Sequence, residues 1–418
     1  MTINKRLAVY RGKSLVGYLA DEDPLSFTYA EAWLQIQGRS ITPTLDVSRQ
    51  KHRGESVESY FENLLPEAGI RDLLKLKHQC TSTFGLLNAI GGDTAGDLSI
   101  FPEGAEPTRD EYLLIDWKDV ANYVYQGKGL MHEACQEHGL RISLAGAQKK
   151  NGVVINHAGI LLLPLKNTPS THIVKPDIQG IDGVWSSAIN ETFIMRLAQQ
   201  INLGVAAARF EPLAKACVIE RYDRWLDGDR QIQKVHQLDL CQLAGKPSTI
   251  KYEADGGPNL KQCHQLLKHH GISGNDMKRF LQWIFFNLFV GNNDSHAKNI
   301  SVYFPPDQHI SLTPFYDLLC TTIYPGLSKR FAFSIGGESR PSHLNRNNLT
   351  QMAIELGYKP AFVMQIAKTT ADAILKNSSL VASECQILAS VGSENTMLER
   401  LQSHVCSNTQ KLQKRLLI

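Results

Sequence analysis

Residues 291–299 read GNNDSHAKN and follow directly on the apolar run 280–290. Asp294 and Asn299 stand five apart, with Lys298 between them. Phosphoryl transfer asks for this pairing. A carboxylate orients the nucleophile and receives its proton, and an oxygen ligand a few residues on anchors a metal against the phosphates. Ordinary loops also carry Asp and Asn, so the pair needs support elsewhere in the chain. Asp317 supplies it. It sits in LTPFYDLL, a short apolar run with one carboxylate embedded. An unpartnered buried charge is costly, so Asp317 is expected to be paired, and a second metal ligand is such a role.

Composition bounds the rest. At 418 residues, 43% hydrophobic and 20% charged, the chain suits two or three soluble globular domains. A net charge of +3, from 44 basic and 41 acidic residues, gives no general argument for nucleic-acid binding. Lys411, Lys414 and Arg415 read as a solvated helix face. The eight cysteines are scattered, with no CxxC pair and no zinc spacing. Without a signal-peptide pattern they are expected to be reduced thiols in a cytoplasmic protein. The apolar stretches 159–165 and 283–290 are too short to span a membrane.

Residues 1–108 read as a small mixed domain. Segments 7–10 and 15–19 flank Gly12 as a hairpin, and 29–34 suits a further strand. Val57, Tyr60, Phe61 and Leu64 have helical spacing, with Pro66 ending the element. Residues 71–77 and 84–90 are expected as helices, and GGDTAGDLSIF as a turn into a strand. The Gly91-Gly92-Asp93 and Ala95-Gly96-Asp97 groups suit either turn chemistry or a ligand contact. The Pro- and acid-rich stretch 102–112 marks a boundary. Linker helices over 119–125 and 130–138 fall within a connecting segment, 109–139.

Domain 140–225 opens on RISLAGAQKKNGVVI. Small residues ahead of Lys149 and Lys150 let backbone N–H groups approach a phosphate closely, and an ordinary β-turn uses the same residues. THIVKPDI (171–178) is a strand carrying Lys175, ending or lying at an edge because Pro176 lacks a donor. A helix over 190–201 follows, with Asn190 as N-cap and Glu191 in its first turn. Glu191 either pairs with Lys175 or favours the helix dipole. ACVIERYDRW (216–225) is a strand and a charged segment, placed where a hinge presents backbone groups to adenine. Residues 226–418 are expected to be mostly helical. Helices are read over 237–243, 261–270, 276–290, 349–356, 361–375 and 397–416, with a Gly-Pro loop at KYEADGGP (251–258) and a strand over 330–335.

AGAQKK, HIVKP, NETFIMRLA, VIERYDRW, KYEADGGP, GNNDSHAKN and LTPFYDLL occur in the order seen in HipA-type serine/threonine kinase toxins. NLLPE and GGDTAGDL resemble that family's amino-terminal domain. The resemblance covers roughly residues 5–380 and implies an α+β fold. That fold is a bilobal protein-kinase-like domain related to lipid kinases, with a small mixed α/β N-terminal domain and a helical C-terminal lobe. It implies that Ala145, Gly146, Ala147, Gln148, Lys149 and Lys150 cradle the nucleotide and that Lys175 contacts the ATP phosphates. Glu220, Arg221 and Tyr222 would form the hinge, and His296 and Lys298 would complete the ATP site. Asp294 would be the catalytic acid/base, Asn299 and Asp317 the Mg²⁺ ligands, and Ser143 an autophosphorylated serine. Lys149 stands where the family commonly has an acidic residue, which puts the loop's electrostatics in doubt. The implied partners are a small DNA-binding, HipB-like antitoxin and an aminoacyl-tRNA synthetase as substrate, with DNA contacted only through the antitoxin. Two other readings compete: a small-molecule phosphotransferase of the same fold, and an inactive kinase-like partner of a repressor.

Overall fold

The computed structural model describes residues 6–107, 110–138, 148, 150–227, 231–305, 309–389 and 391–417. Two compact units divide the chain: Met1–Val174 with Arg221–Thr249 and Tyr303–Pro306, and Lys175–Glu220 with Ile250–Val302 and Asp307–Ile418.

The first unit holds an antiparallel sheet in the order β4-β3-β2-β1-β5, built from β1 (Arg6–Arg11), β2 (Ser14–Ala20), β3 (Ser26–Tyr29), β4 (Lys51–Arg53) and β5 (Leu98–Pro102). The expected hairpin is present: Arg11 pairs with Ser14 across Gly12-Lys13, and Gly12 takes φ +57°. The helix Glu55–Glu62 buries Val57, Tyr60 and Phe61, and Phe61 meets Phe27 of β3 at 5.5 Å between ring centroids. A second set of strands follows: β6 (Tyr112–Leu114), β7 (Asn151–Ile155), β8 (Leu161–Pro164) and β9 (His172–Pro176). Antiparallel pairing of β8 with β6 and β7, and of β7 with β9, ties 112–174 to the same unit. One strand is corrected here. Residues 29–34 do not extend β3, because the chain turns into a short helix, Glu31–Gln35, that buries Trp33.

The second unit pairs the hairpin β10 (Ala208–Glu211) and β11 (Ala216–Glu220) with a set of long helices. Helix Gly274–Val290 lies in its core, burying Phe280, Trp283, Phe285, Phe286 and Phe289, and it packs with helices Pro360–Leu388 and Gly392–Leu417. Ser273 caps its start by accepting from Asp276 N–H at 3.2 Å, and Gly291 ends it at φ +78°.

Three further expectations are corrected. Helix Ser187–Gln200 begins before Asn190, with Ser186 as N-cap at φ +48°, so Asn190 is a buried interior residue. Residues 330–335 form no ladder: Phe331 N–H donates to Ser339 O, and Ser334 N–H to the Glu253 carboxylate. The helix read over 237–243 is a strand, Gln237–Asp239, followed by the short helix Leu240–Leu243. Asp239 and Gln242 form its capping box. The described cysteines are free thiols, and no helix among the described residues is long and apolar enough to cross a membrane.

Candidate active site

Lys175, the first residue of the second unit, meets two carboxylates of that unit with its ammonium. Nζ donates to Glu191 Oε1 at 2.6 Å and to Asp317 Oδ1 at 2.5 Å. Side-chain exposure is 7% for Lys175, 2% for Glu191 and 38% for Asp317, so Asp317 faces solvent and Glu191 does not. Burial alone would lower the lysine's pKa, but the two anions outweigh it and raise it above its ordinary value. Glu191 therefore pairs with Lys175, which answers the choice between pairing and a dipole role. Asp317 is paired as expected, though it is not buried.

Each member of this cluster is held from a different direction. Asn190, one residue before Glu191, clamps the segment after Asp317: its Nδ2 donates to Cys320 O at 2.9 Å, and Cys320 N–H donates to its Oδ1 at 2.9 Å. Asp317 takes φ +60°, a backbone conformation rare for a side chain of its size and concentrated at functional positions. Tyr316, just before it, donates to Lys298 O at 2.7 Å. Asn292 Nδ2 donates to Asp317 O at 3.4 Å, while Asn292 Oδ1 accepts from Asp294 N–H at 3.2 Å. The Asp317 segment and the loop 291–299 are thus stitched together on both sides. Gly291 is required at this seam, since a Cβ there would lie 2.1 Å from Thr322 Oγ1.

Within the loop, Asp294 is exposed while Asn292, Asn293, Ser295, His296, Lys298 and Asn299 are buried. Asn299 Nδ2 donates to Asp294 O at 3.0 Å, which turns its Oδ1 into the part of the amide that a ligand can use. Asp294 Oδ1 accepts a hydrogen bond from Tyr252 Oη. The His296 ring is buried and its pKa lies well below the ordinary value, through burial first and then Lys251 and Lys298, with Asp317 opposing. Its Nδ1 is buried with no hydrogen-bond partner among the described residues.

Asn299 and Asp317 offer one amide oxygen and one carboxylate, donors of the kind that hold hard divalent cations. Among the described residues no cluster of three or more His, Cys, Asp or Glu side chains stands ready to hold an ion.

The hinge residues separate. Glu220 is exposed at the end of β11, and its N–H donates to Ala207 O at 2.9 Å. The Arg221 side chain turns into a buried ion cluster in the first unit. Nη1 donates to Asp93 Oδ2 at 2.9 Å and to Ser170 Oγ at 2.9 Å, and Nη2 to Asp223 Oδ2 at 3.0 Å. Arg224 joins through Asp93 Oδ1 and Asp223 Oδ2, both at 2.8 Å. Burial would raise the Asp93 carboxyl, but Arg221, Arg224 and Lys234 hold it far below the carboxylate range. Residues 91–92 turn and 95–97 bend as expected, and the carboxylates they carry, Asp93 and Asp97, are buried ionic anchors. Arg221 N–H donates to Thr171 O at 2.8 Å, and Tyr222 O accepts from Tyr303 Oη at 2.8 Å. Ser143, Ala145, Gly146, Ala147 and Lys149 lie outside the described residues, while Gln148 and Lys150 are described as partly buried.

Sequence reasoning missed Tyr252, Asn292 and the Asp93 ion cluster, and it misread Asn190 as a cap. KYEADGGP was the visible signal for the first, since binding and catalytic residues are disproportionately carried on loops.

Comparisons with known proteins follow the same line. Residues 142–378 match the model of the HipA-like C-terminal domain and residues 7–101 that of the HipA N-terminal domain. Y4mE of Sinorhizobium fredii, a protein of provisional kinase assignment, is 34% identical over 371 residues, covering 84% of this chain and 86% of that one. The serine/threonine-protein kinase toxin HipA of Shewanella oneidensis is 28% identical over 385 residues, 84% of this chain and 83% of that toxin. A solved complex of Shewanella oneidensis HipA with HipB and operator DNA contains a chain of the same fold. Its TM-score is 0.81 at 23% identity, over 97% of both chains.

Proposed function

The chain belongs to the HipA family, and on that premise we propose that it is an ATP-dependent serine/threonine-protein kinase toxin of a toxin–antitoxin pair. The observation that carries this reading is the buried Lys175–Glu191 pair, joined through Asp317 to the loop that presents Asp294. A lysine fixed by a helix carboxylate is the usual phosphate contact of kinases, and it has little structural purpose at the cost of burying two charges.

ATP is the phosphoryl donor in this reading. Lys175 would neutralise its phosphates, and the family resemblance assigns residues 145–150 to the phosphates and Glu220, Arg221 and Tyr222 to the adenine. His296, with an unsatisfied buried Nδ1, and Lys298 complete the pocket wall. Asn299 and Asp317 would hold Mg²⁺, which when bound neutralises phosphate charge. Asp294 is exposed, as a residue meeting a protein acceptor must be. It orients the acceptor hydroxyl and takes its proton.

The acceptor is a serine of an aminoacyl-tRNA synthetase, and its modification halts translation and growth. A HipB-like antitoxin restrains the enzyme and supplies whatever contact with DNA there is. Autophosphorylation at Ser143 places a dianion beside phosphates of the same sign and switches the site off. The site is cytoplasmic by this account, since both ATP and synthetases are found there. Incubating the protein with ATP and Mg²⁺, alone and with a panel of synthetases, tests the reading by mass spectrometry. Phosphoserine on a synthetase and on Ser143 is the expected result. Transfer only to small molecules identifies a phosphotransferase, and no transfer identifies an inactive partner protein.

A further inference from the structure

The loop 251–258 belongs neither to the lysine cluster nor to the metal set, yet one of its side chains touches Asp294. Tyr252 Oη donates to Asp294 Oδ1 across 42 residues of sequence. The loop is built to hold that phenol still. Asp255 N–H and Gly257 N–H both donate to Tyr252 O, at 3.1 and 2.8 Å. Gly257 is needed for the turn, because a Cβ there would lie 2.7 Å from Ile250 O and Tyr252 O. The next residue, Glu253, accepts from Ser334 N–H at 2.8 Å. The Tyr252 ring meets the buried His296 ring edge-on, with centroids 5.0 Å apart at 87°, and Lys251 Nζ lies 5.5 Å above the same ring. A half-buried tyrosine gripped from four sides and ending on an exposed carboxylate is a designed contact.

A carboxylate offers two oxygens and about four lone-pair sites. With the phenol on Oδ1, rotation of the Asp294 carboxylate is restricted and Oδ2 has a defined direction. We infer that Tyr252 is a positioning residue for phosphoryl transfer, fixing the Asp294 carboxylate so that Oδ2 receives the acceptor's proton. This rests on the reading of Asp294 as the general base. In the step it serves, the acceptor oxygen bonds to the γ-phosphorus of ATP, the bond from that phosphorus to the ADP oxygen breaks, and the acceptor's proton moves to Asp294 Oδ2.

Tyr252→Phe keeps the ring and its packing and removes only the hydroxyl. With the full-length protein, the expected result is a fall in kcat of roughly tenfold, since loss of aim costs about that much at a general base. KM for ATP and equilibrium ATP affinity should stay within about twofold, because the phenol acts on the carboxylate and not on the nucleotide. Repeating the substitution in the Asp294→Asn background separates positioning from structure. Residual transfer there should not change on losing the phenol, which no longer has a carboxylate to act through. An unchanged or raised kcat in Tyr252→Phe overturns the inference, a rise meaning that the phenol competes with the acceptor. The same tenfold loss in both backgrounds also overturns it. Wild-type transfer by Asp294→Asn alone would instead defeat the reading of Asp294, and is a distinguishable outcome.

Discussion

Replacing Glu191 tests the buried cluster most sharply. The Lys175 and Glu191 side chains are 7% and 2% exposed, so the ammonium has little water and depends on its two carboxylates. Removing one partner of a buried pair costs about 3–5 kcal/mol. In Glu191→Ala, Lys175 keeps only Asp317 of this pair, and the carboxylate assigned to the metal is drawn into holding the lysine. If about 3 kcal/mol of the loss falls on the transition state, kcat/KM for ATP drops roughly 10²-fold. Glu191→Gln preserves size and an acceptor oxygen. It loses only the difference between a charge-assisted and a neutral hydrogen bond, about 1 kcal/mol, or roughly five- to tenfold. The expected order is wild type, then Gln, then Ala. Labelled-phosphate transfer at varied ATP gives the rates, and parallel thermal scans correct for any loss of folded protein. Wild-type kcat/KM in both variants, or equal impairment of the two, would refute the reasoning.

Two further outcomes follow from particular residues. Gly291→Ala should lower the melting temperature and the yield of folded protein, because it combines φ +78° with a Cβ 2.1 Å from Thr322 Oγ1; a melting temperature equal to wild type would show that the seam relaxes freely. Asp97 is buried, which raises its carboxyl, but His236 and Arg11 outweigh this and hold it at about 2. A folded value below the unfolded one means stability that is fully present above about pH 4 and lost as the pH falls toward 2, worth about 2 kcal/mol. Acid unfolding curves of wild type and Asp97→Asn should therefore converge at low pH, and parallel curves would contradict the assignment.

What was legible in the sequence was local. The loop 291–299 announced itself because its acid, amide and terminating glycine fall within nine residues of one apolar helix. Lys175 and Glu191 were readable as a strand lysine followed by a helix carboxylate. Asn190 was misread because its residue type suits a cap, while Ser186 took that place and the amide was buried to hold Cys320. Residues 330–335 misled because an apolar run does not say whether a partner strand exists. The helix over 237–243 was read three residues too early at its start, where Asp239 and Gln242 form the capping box that marks the true N-terminus. The Asp93–Arg221 pair spans 128 residues and Tyr252–Asp294 spans 42, and no local pattern encodes such meetings. Most of the nucleotide loop lies outside the described residues, so its reading stands as a proposal.

The central claim is that Asp294 is the base of a phosphoryl transfer, and Asp294→Asn measures it most directly. The substitution keeps size and hydrogen-bonding capacity at an exposed position, so folding and ATP affinity should match wild type. Phosphoryl transfer to a protein acceptor should fall about 10²–10⁴-fold, the usual worth of a general base. A folded, ATP-binding Asp294→Asn protein that transfers phosphate at the wild-type rate would contradict the account.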